Sequence, residues 1–390
     1  MLPRRIVKRE HDPASGPAGK HHAILRSIIE GQDMDTLTHA LSGALLARAT
    51  EPERPRTDQL PRRTRMWVGF IAAAFPDSDF VTRFIDPLTY LTTHRGITHS
   101  VIMLPLWSAL LALLFMLLVR KKYSWRAFVG VVALGIGIHI AGDVITAFGT
   151  MIFAPFSDWR AQFPTTFIID PYFTAVIVSG LIASSLWSAT RRPAVIGLAV
   201  LVAYVGFQAV LHQRALTVGE TYAVKHQLDA GQVQAIPQPF SPFNWMIVLP
   251  QKDAYHLAYV SLWRREIPEF PPAGANWLYQ VNASYFPVAD AIWKNIPRFG
   301  AGNEANLAEQ VWYSEALAPF RRFAEFPALY RVDHNKNGLC VWFNDLRFAL
   351  AGRTMPFRYG ACRNGTDTVW RIHRLFSDDN GIEILDAIPH

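Results

Sequence analysis

Apolar residues along this chain come in four long runs, 101–119, 127–149, 172–190 and 193–211, and three of these hold no charged residue. A helix needs about 20 apolar residues to cross a bilayer core, so each run reads as a membrane span and not as a core helix of a soluble protein. Two shorter apolar runs, 37–47 and 66–75, come first. At about 1.5 Å per residue each is shorter than a bilayer core is thick. An arginine-rich turn with Arg48, Arg54, Arg56, Arg62, Arg63 and Arg65 joins them, and the pair reads as a helical hairpin with arginines able to snorkel.

After about residue 212 the pattern changes. Aromatic and β-branched residues alternate through 237–250, 253–263, 339–350, 356–362 and 368–376, with turn residues between them. These read as short strands, and 305–323 reads as an amphipathic helix. The expected fold class is an α-helical membrane bundle, four long spans plus a short helical hairpin, followed by a soluble α+β domain with a mainly antiparallel sheet. Residues 1–33 read as a basic disordered extension, or as sequence before a natural start at Met34. Residues 34–212 form the membrane-embedded part, and 213–390 the soluble domain.

Composition supports the membrane reading: 51% of the 390 residues are hydrophobic and 18% charged. The formal charge of +7 lies largely in the extension and in short turns, where it bears on orientation. Arg120, Lys121, Lys122 and Arg126 join the first two spans, and Arg191 with Arg192 joins the last two. If the spans alternate, these turns and the hairpin turn share one side, cytoplasmic by the positive-inside rule. The segment 75–101 and the soluble domain then face outward from the cell (inner) membrane. No nucleic-acid module is present, so nucleic acid is not an expected partner. Cys340 and Cys362 both lie in the soluble domain, where they either pair, as an external location permits, or stay as buried thiols.

Polar groups collect where the apolar pattern is strongest. Asp77 and Asp79 stand one residue apart in FPDSD, and two such carboxylates repel unless a cation lies between them; the simpler reading is a turn after Pro76. His94 and His99 bracket Arg95, Gly96 and Thr98, as a cap with incidental histidines or as two ligands. His139 and Asp143 sit four apart within an apolar span and share a helix face, where ionisable groups mark function by default. His39 belongs to the hairpin beside Asp77, as a ligand or a helix-end hydrogen-bonder. Asp170 opens a span, where the helix dipole alone favours it, or else it is a ligand or an orienting group. Asp86 reads as structural. Imidazoles and carboxylates without thiolate suit a divalent transition metal, Zn or Mn, and this many ligands suit two ions.

The ordered motifs MDTLTHALSG, FPDSD, HRGITHS, the HIAGD helix and IDPYF resemble the YdjM-type family of membrane-bound metal-dependent hydrolases. The match covers about residues 34–172, and HRGITHS preceded by PDxD is its specific core. The resemblance implies a hydrolase with His39, Asp77, His94, His99, His139 and Asp143 at its metal site. The pattern is also similar to zinc-dependent phospholipase C enzymes, which implies a phosphoester in a lipid or lipid-linked substrate. Asp77, Arg95 and His99 are then the expected catalytic residues, with Arg95 either pairing with a carboxylate of the site or holding phosphate while a metal-activated water attacks. A cation transporter or channel using the same cluster is the alternative, as is a membrane scaffold with a structural metal.

Overall fold

A computed structural model describes residues 36–53, 58–84, 87–269, 271–272, 274–335, 338–353, 355–365, 367–375 and 382–384. The basic extension, Arg54, Arg56 and Asp86 lie outside the described residues. Helices α1 (Thr36–Ala49) and α2 (Arg62–Ala74) form the hairpin. They meet backbone to backbone at Gly43 and Gly69: a Cβ on Gly43 would stand 2.3 Å from the Gly69 carbonyl oxygen. Small residues of this kind let helices approach closely where lipid supplies no hydrophobic drive. The closeness matters, because His39 lies one turn from Gly43.

The chain then turns through a 3₁₀ helix (Pro76–Phe84), the short α3 (Pro87–Thr93) and a 3₁₀ turn (Ile97–His99). Helices α4 (Leu104–Leu118), α5 (Trp125–Val144), α6 (Pro171–Leu186) and α7 (Arg192–Lys225) follow. Two of these are long and apolar enough to cross a membrane, α5 with 20 residues and α7 with 34. The other two expected spans come out shorter. The backbone of 101–103 is a turn, with Ile102 and Met103 N–H donating to Ser100 Oγ. Helix α4 therefore qualifies only together with Pro87–His99, from which it is bent by 79°. Helix α6 stops at Leu186, and the turn after it is held by the Arg48 guanidinium, which donates to the carbonyls of Ser188 and Thr190.

Arg191 also donates to the Glu51 carbonyl, so the hairpin turn and the α6–α7 turn lie at one end of the bundle. Helix α5 runs alongside α2 in the same direction, with Gly135 against Gly69 and His139 against Ala73. The basic 120–126 turn is thereby placed at that same end, and His139 and Asp143 at the other. Helix α7 is about 51 Å long at 1.5 Å per residue. Its last turns leave the bundle and pack on the β-structure, where Gly219 meets Val233 and Ile247.

The remaining chain is α+β. One sheet is mixed: β1 (Gln234–Pro237), β2 (Asn244–Pro250) and β3 (Ala254–Ser261) are antiparallel. The short β4 (Phe286–Pro287) joins β3 in parallel, and β5 (Lys294–Pro297) pairs with β3 antiparallel. The second sheet is an antiparallel meander of β6 (Pro327–Asn335), β7 (Gly338–Asp345), β8 (Arg358–Asn364), β9 (Arg371–Leu375) and β10 (Ile382–Ile384). Helix α8 (Trp277–Ala283) lies between β3 and β4, and α9 (Asn303–Trp312) and α10 (Ala318–Phe323) lie between the two sheets in sequence. The one amphipathic helix expected over 305–323 is thus two, because the chain turns at Tyr313–Ser314 and Pro319 opens a new helix. Cys340 and Cys362 face each other on β7 and β8 and form a disulfide.

The two parts share a core. Leu88 and Leu91 of α3 and Phe148, just after α5, are buried with Trp312, Phe320, Phe323, Phe343 and Tyr359 of the C-terminal part. Residues next to the polar motifs, not the whole loops that carry them, thus enter the interior of the sheet region.

Candidate metal centre

Four elements bring the motif residues together. Pro76, which cannot continue the backbone ladder of α2, starts the 3₁₀ helix that buries Asp77. The short 3₁₀ turn delivers His99, and α5 supplies His139 and Asp143 from one face. Helix α1 adds His39, whose ring centroid is 4.1 Å from that of His139.

The arrangement is acceptor-rich. His139 Nδ1 donates to the Ala73 carbonyl at 2.6 Å, since a carbonyl can only accept; in the neutral ring Nε2 is therefore a lone pair. Thr98 Oγ1 donates to Asp79 Oδ2 at 3.3 Å, so it accepts from His99 Nδ1 at 3.0 Å. The Nε2 of His99 is then a lone pair as well. These two nitrogens face each other at 3.0 Å. Asp143 Oδ2 stands 3.2 Å from His99 Nε2 and 3.3 Å from His139 Nε2. Asp77 Oδ1 stands 3.4 Å from His139 Nε2 and 3.6 Å from His99 Nε2.

Four acceptors confronting one another in a buried space repel unless a cation joins them. Tetrahedral ligands at about 2.0–2.1 Å from a zinc-sized ion have edges of about 3.3 Å, inside the 3.0–3.6 Å range found here. Both oxygens of Asp143 are buried and make no hydrogen bond. The residues therefore fit a divalent transition metal in donor type, in spacing and in their unsatisfied atoms. Two buried triads can hold such an ion, Asp77 with His99 and His139, and His39 with His139 and Asp143. They share His139, whose one free nitrogen serves one ion at a time.

Surrounding groups fix the ligands, as such sites require. Thr36 Oγ1 donates to Asp77 Oδ2 at 2.7 Å, turning Oδ1 to the imidazoles. Burial raises the Asp79 carboxyl, but the hydrogen bond from His94 outweighs it and holds the group lower than usual.

Not every expected residue joins the cluster. Asp79 and His94 form an outer pair, Oδ1 to Nδ1 at 2.9 Å, and Asp79 Oδ2 accepts from the Arg95 backbone N–H at 3.0 Å. Asp79 lies behind His99, 3.5 Å from its Nδ1. Asp170 is set apart: Oδ1 accepts from the Tyr172 and Phe173 N–H groups, and Oδ2 from Tyr204 Oη and Gln208 Nε2. It caps α6, and its acceptor positions are filled.

Arg95 is not where a phosphate would be held. The side chain is fully buried, with one terminal nitrogen 3.3 Å from Asp143 Oδ1 and the other donating to Thr146 Oγ1 at 2.8 Å. Its guanidinium lies over the Phe148 ring at 4.8 Å. The residue sits at φ +59°, a left-handed conformation that costs a bulky side chain about 1–2 kcal/mol. Its carbonyl accepts from the Met151 N–H at 2.9 Å, which fixes that conformation. Arg95 neutralises the side of Asp143 turned away from His99 and His139.

Sequence reasoning did not reach Thr36, Thr146, Phe148 or Arg160. Thr36 carried a signal, lying three residues before His39 in one motif. Arg160 carried none. It donates to the carbonyls of Thr92, His94 and Gly149, and burial with the nearby Arg347 and Arg95 pushes it down to about 10.

A helical region with two or three candidate spans, ending in a buried His/Asp cluster and followed by an α+β region, defines a membrane protein with a candidate metal centre. Residues 34–215 match the sequence model of the family described as YdjM inner membrane protein. The chain is also similar to the uncharacterized protein YfhP of Bacillus subtilis (strain 168), 26% identical over 227 residues that make up 57% of this chain and 67% of that protein. No solved structure matches.

Proposed function

We propose that the protein is a membrane-bound metal-dependent hydrolase that cleaves a phosphoester in a lipid or lipid-linked substrate. The observation that carries this reading is the set of buried groups on Asp77, His99, His139 and Asp143, in which the two imidazole nitrogens lie 3.0 Å apart and each lies 3.2–3.6 Å from both carboxylates. These four residues would hold the first ion. A bound transition metal supplies Lewis acidity and lowers the pKa of water toward neutrality.

The protein's own groups do the rest. His39 is the imidazole nearest the opening, with Nε2 3.4 Å from Asp143 Oδ1; it holds or moves the proton of the reacting water or of the leaving oxygen. Arg95 keeps Asp143 ionised and its free edge directed at the two histidines. Asp79 and Thr98 orient His99, and the Ala73 carbonyl orients His139. A second ion at His39 and Asp143 Oδ1 meets the positive charge of Arg95 beside that same oxygen, so we assign one ion per chain.

The location of the site at the end opposite the basic turns supports an external placement by the positive-inside rule. The disulfide in the sheet domain supports the same side, since such bonds persist in oxidising compartments.

The test is metal analysis of the purified full-length protein together with a panel of phospholipids and lipid-linked phosphodiesters. One equivalent of transition metal and metal-dependent release of a phosphorylated or dephosphorylated headgroup are expected, both lost in His99→Ala and Asp143→Ala. Stable protein that binds no transition metal, or loaded protein that cleaves nothing on the panel, defeats the reading.

A further inference from the structure

The sheet region follows α7 back toward the membrane. Phe243 lies against Phe207, with ring centroids 5.8 Å apart, and Trp245 against His212 at 5.6 Å. Ile247 stands beside Gly219. Strand β2 thus climbs in the direction of α7, and the turn before it, 238–243, is the end of this contact nearest the bundle. From Arg192 to Phe207 the helix rises about 22 Å at 1.5 Å per residue. A hydrocarbon core is about 30 Å thick, and α7 is long and apolar enough to cross it. With Arg192 at one surface, Phe243 lies just inside the other.

Aromatic rings are exposed at that level. Trp263 is 74% exposed and packs on Phe243 with centroids 5.3 Å apart. Phe240 and Trp277, both exposed, touch at 5.6 Å. The Tyr172 hydroxyl, at the start of α6, donates to the Phe240 carbonyl at 3.4 Å, which ties this second pair to the end of the bundle. Phe240 sits at φ +69°, a left-handed conformation that glycine would adopt without strain. An exposed aromatic ring kept there points to a receiver outside the chain.

The rings also continue the bilayer-facing side of α7. Phe207 is exposed, as are Val202 and Val210 of the same helix, and the contacts run from Phe207 through Phe243 to Trp263 without a break. Tryptophan and tyrosine favour the bilayer–water boundary, where the ring lies in an apolar layer and its polar atom meets water. Arg353, itself exposed, lies over the Trp277 ring at 5.2 Å and supplies a cation at the depth of lipid phosphates.

We infer that the 238–243 turn, Trp263 and Trp277 form an aromatic foot that enters the headgroup layer of the leaflet from which α7 emerges. The foot seats the sheet region on the lipid surface. Its partner is the bilayer, because the patch prolongs the lipid-facing surface of a spanning helix at the depth where that surface ends. This role is independent of what the metal centre does.

The experiment uses the full-length protein in phosphatidylcholine nanodiscs, assembled at one copy per disc. A nitroxide is attached in turn to Trp263→Cys, Trp277→Cys, Val202→Cys and Val369→Cys, the native cysteines being bridged. Val202 on α7 is the lipid reference, and Val369, exposed beside β9, is the water reference. Collisions with oxygen, which concentrates in lipid, are compared with collisions with a water-soluble nickel chelate. Both tryptophan positions are expected to favour oxygen over nickel severalfold more than Val369→Cys does. Nickel access equal to that at Val369→Cys overturns the inference. So does dipolar broadening between labels at 263 or 277 in discs assembled at two copies, which would assign the patch to a second copy. If a tryptophan variant does not fold, hydroxyl-radical footprinting of the wild-type protein in single-copy discs takes its place. Trp263 is more exposed than Tyr313, at 74% against 56%, yet is expected to oxidise severalfold more slowly. Oxidation of Trp263 as fast as that of Tyr313 overturns the foot.

Discussion

A guanidinium nitrogen of Arg95 lies 3.3 Å from Oδ1 of Asp143, and neither side chain has any solvent exposure. The pair joins the loop that carries HRGITHS to the helix that carries HIAGD. It also explains how a carboxylate survives inside the bundle before any ion arrives.

Removing one member of such a pair strands the other charge, at a cost of about 3–5 kcal/mol. Asp143→Leu alone and Arg95→Met alone are expected to lower the unfolding midpoint sharply. The double variant recovers much of the stability without recovering metal. Thermal unfolding of the three variants, set beside their metal content, checks this; a double variant no more stable than either single one removes the pair from the account.

The distinction between His99 and the outer Asp79–His94 pair has its own consequence. His99→Ala deletes a donor of the four-atom set and abolishes stoichiometric metal. Asp79→Asn leaves all four donors in place and weakens affinity by about 10–100-fold, the usual effect of losing a group that orients a ligand. Competition with a chelator of known affinity separates the two outcomes, and equal loss in both variants would place Asp79 among the ligands.

Phe148 touches both halves of the molecule: its ring centroid is 5.4 Å from that of His94 and 5.3 Å from that of Phe323. Arg347 of the sheet domain reaches its carbonyl. Phe148→Ala is expected to cost about 3–5 kcal/mol as a buried aromatic truncation and to weaken metal binding as well, although Phe148 ligates nothing. A variant that melts early yet keeps wild-type metal affinity would show that the two halves are uncoupled at this point.

The cysteines report on the compartment. Whole cells treated with a membrane-permeant maleimide polymer are expected to show no labelling of Cys340 or Cys362 until a reductant is added. The Cys340→Ser, Cys362→Ser protein loses about 2–4 kcal/mol of stability. Free thiols in freshly isolated membranes would place the sheet domain on the reducing side.

Much of the site was legible because its chemistry contradicts its surroundings. His139 and Asp143 stand out from an apolar run, and a spacing of four fixes their common face whatever the rest of the fold does. The order Asp77, Asp79, His94, His99 carried a recognisable motif. The division of labour within it was not legible. Whether Asp79 ligates or orients depends on Thr98 and on the Arg95 backbone. The role of Arg95 depends on Asp143, 48 residues further on. Asp170 read as a possible ligand because nothing local reveals that Tyr204 and Gln208 fill its second oxygen. The length of the first long span was not legible for a similar reason: hydropathy registers Val101, Ile102 and Met103 as apolar but not the turn that Ser100 imposes on them.

Leu88, Leu91 and Phe148 are sequestered among Trp312, Phe320, Phe323, Phe343 and Tyr359, which gives the downstream half of the chain a genetic meaning. A nonsense codon anywhere between 226 and 359 would spare every His and Asp of the cluster and still act as a null allele of the metal site, because the wall against which its loops fold would be missing. Complementation by two separately expressed halves should fail for the same reason, whereas point changes on the exposed faces of β9 pass unnoticed.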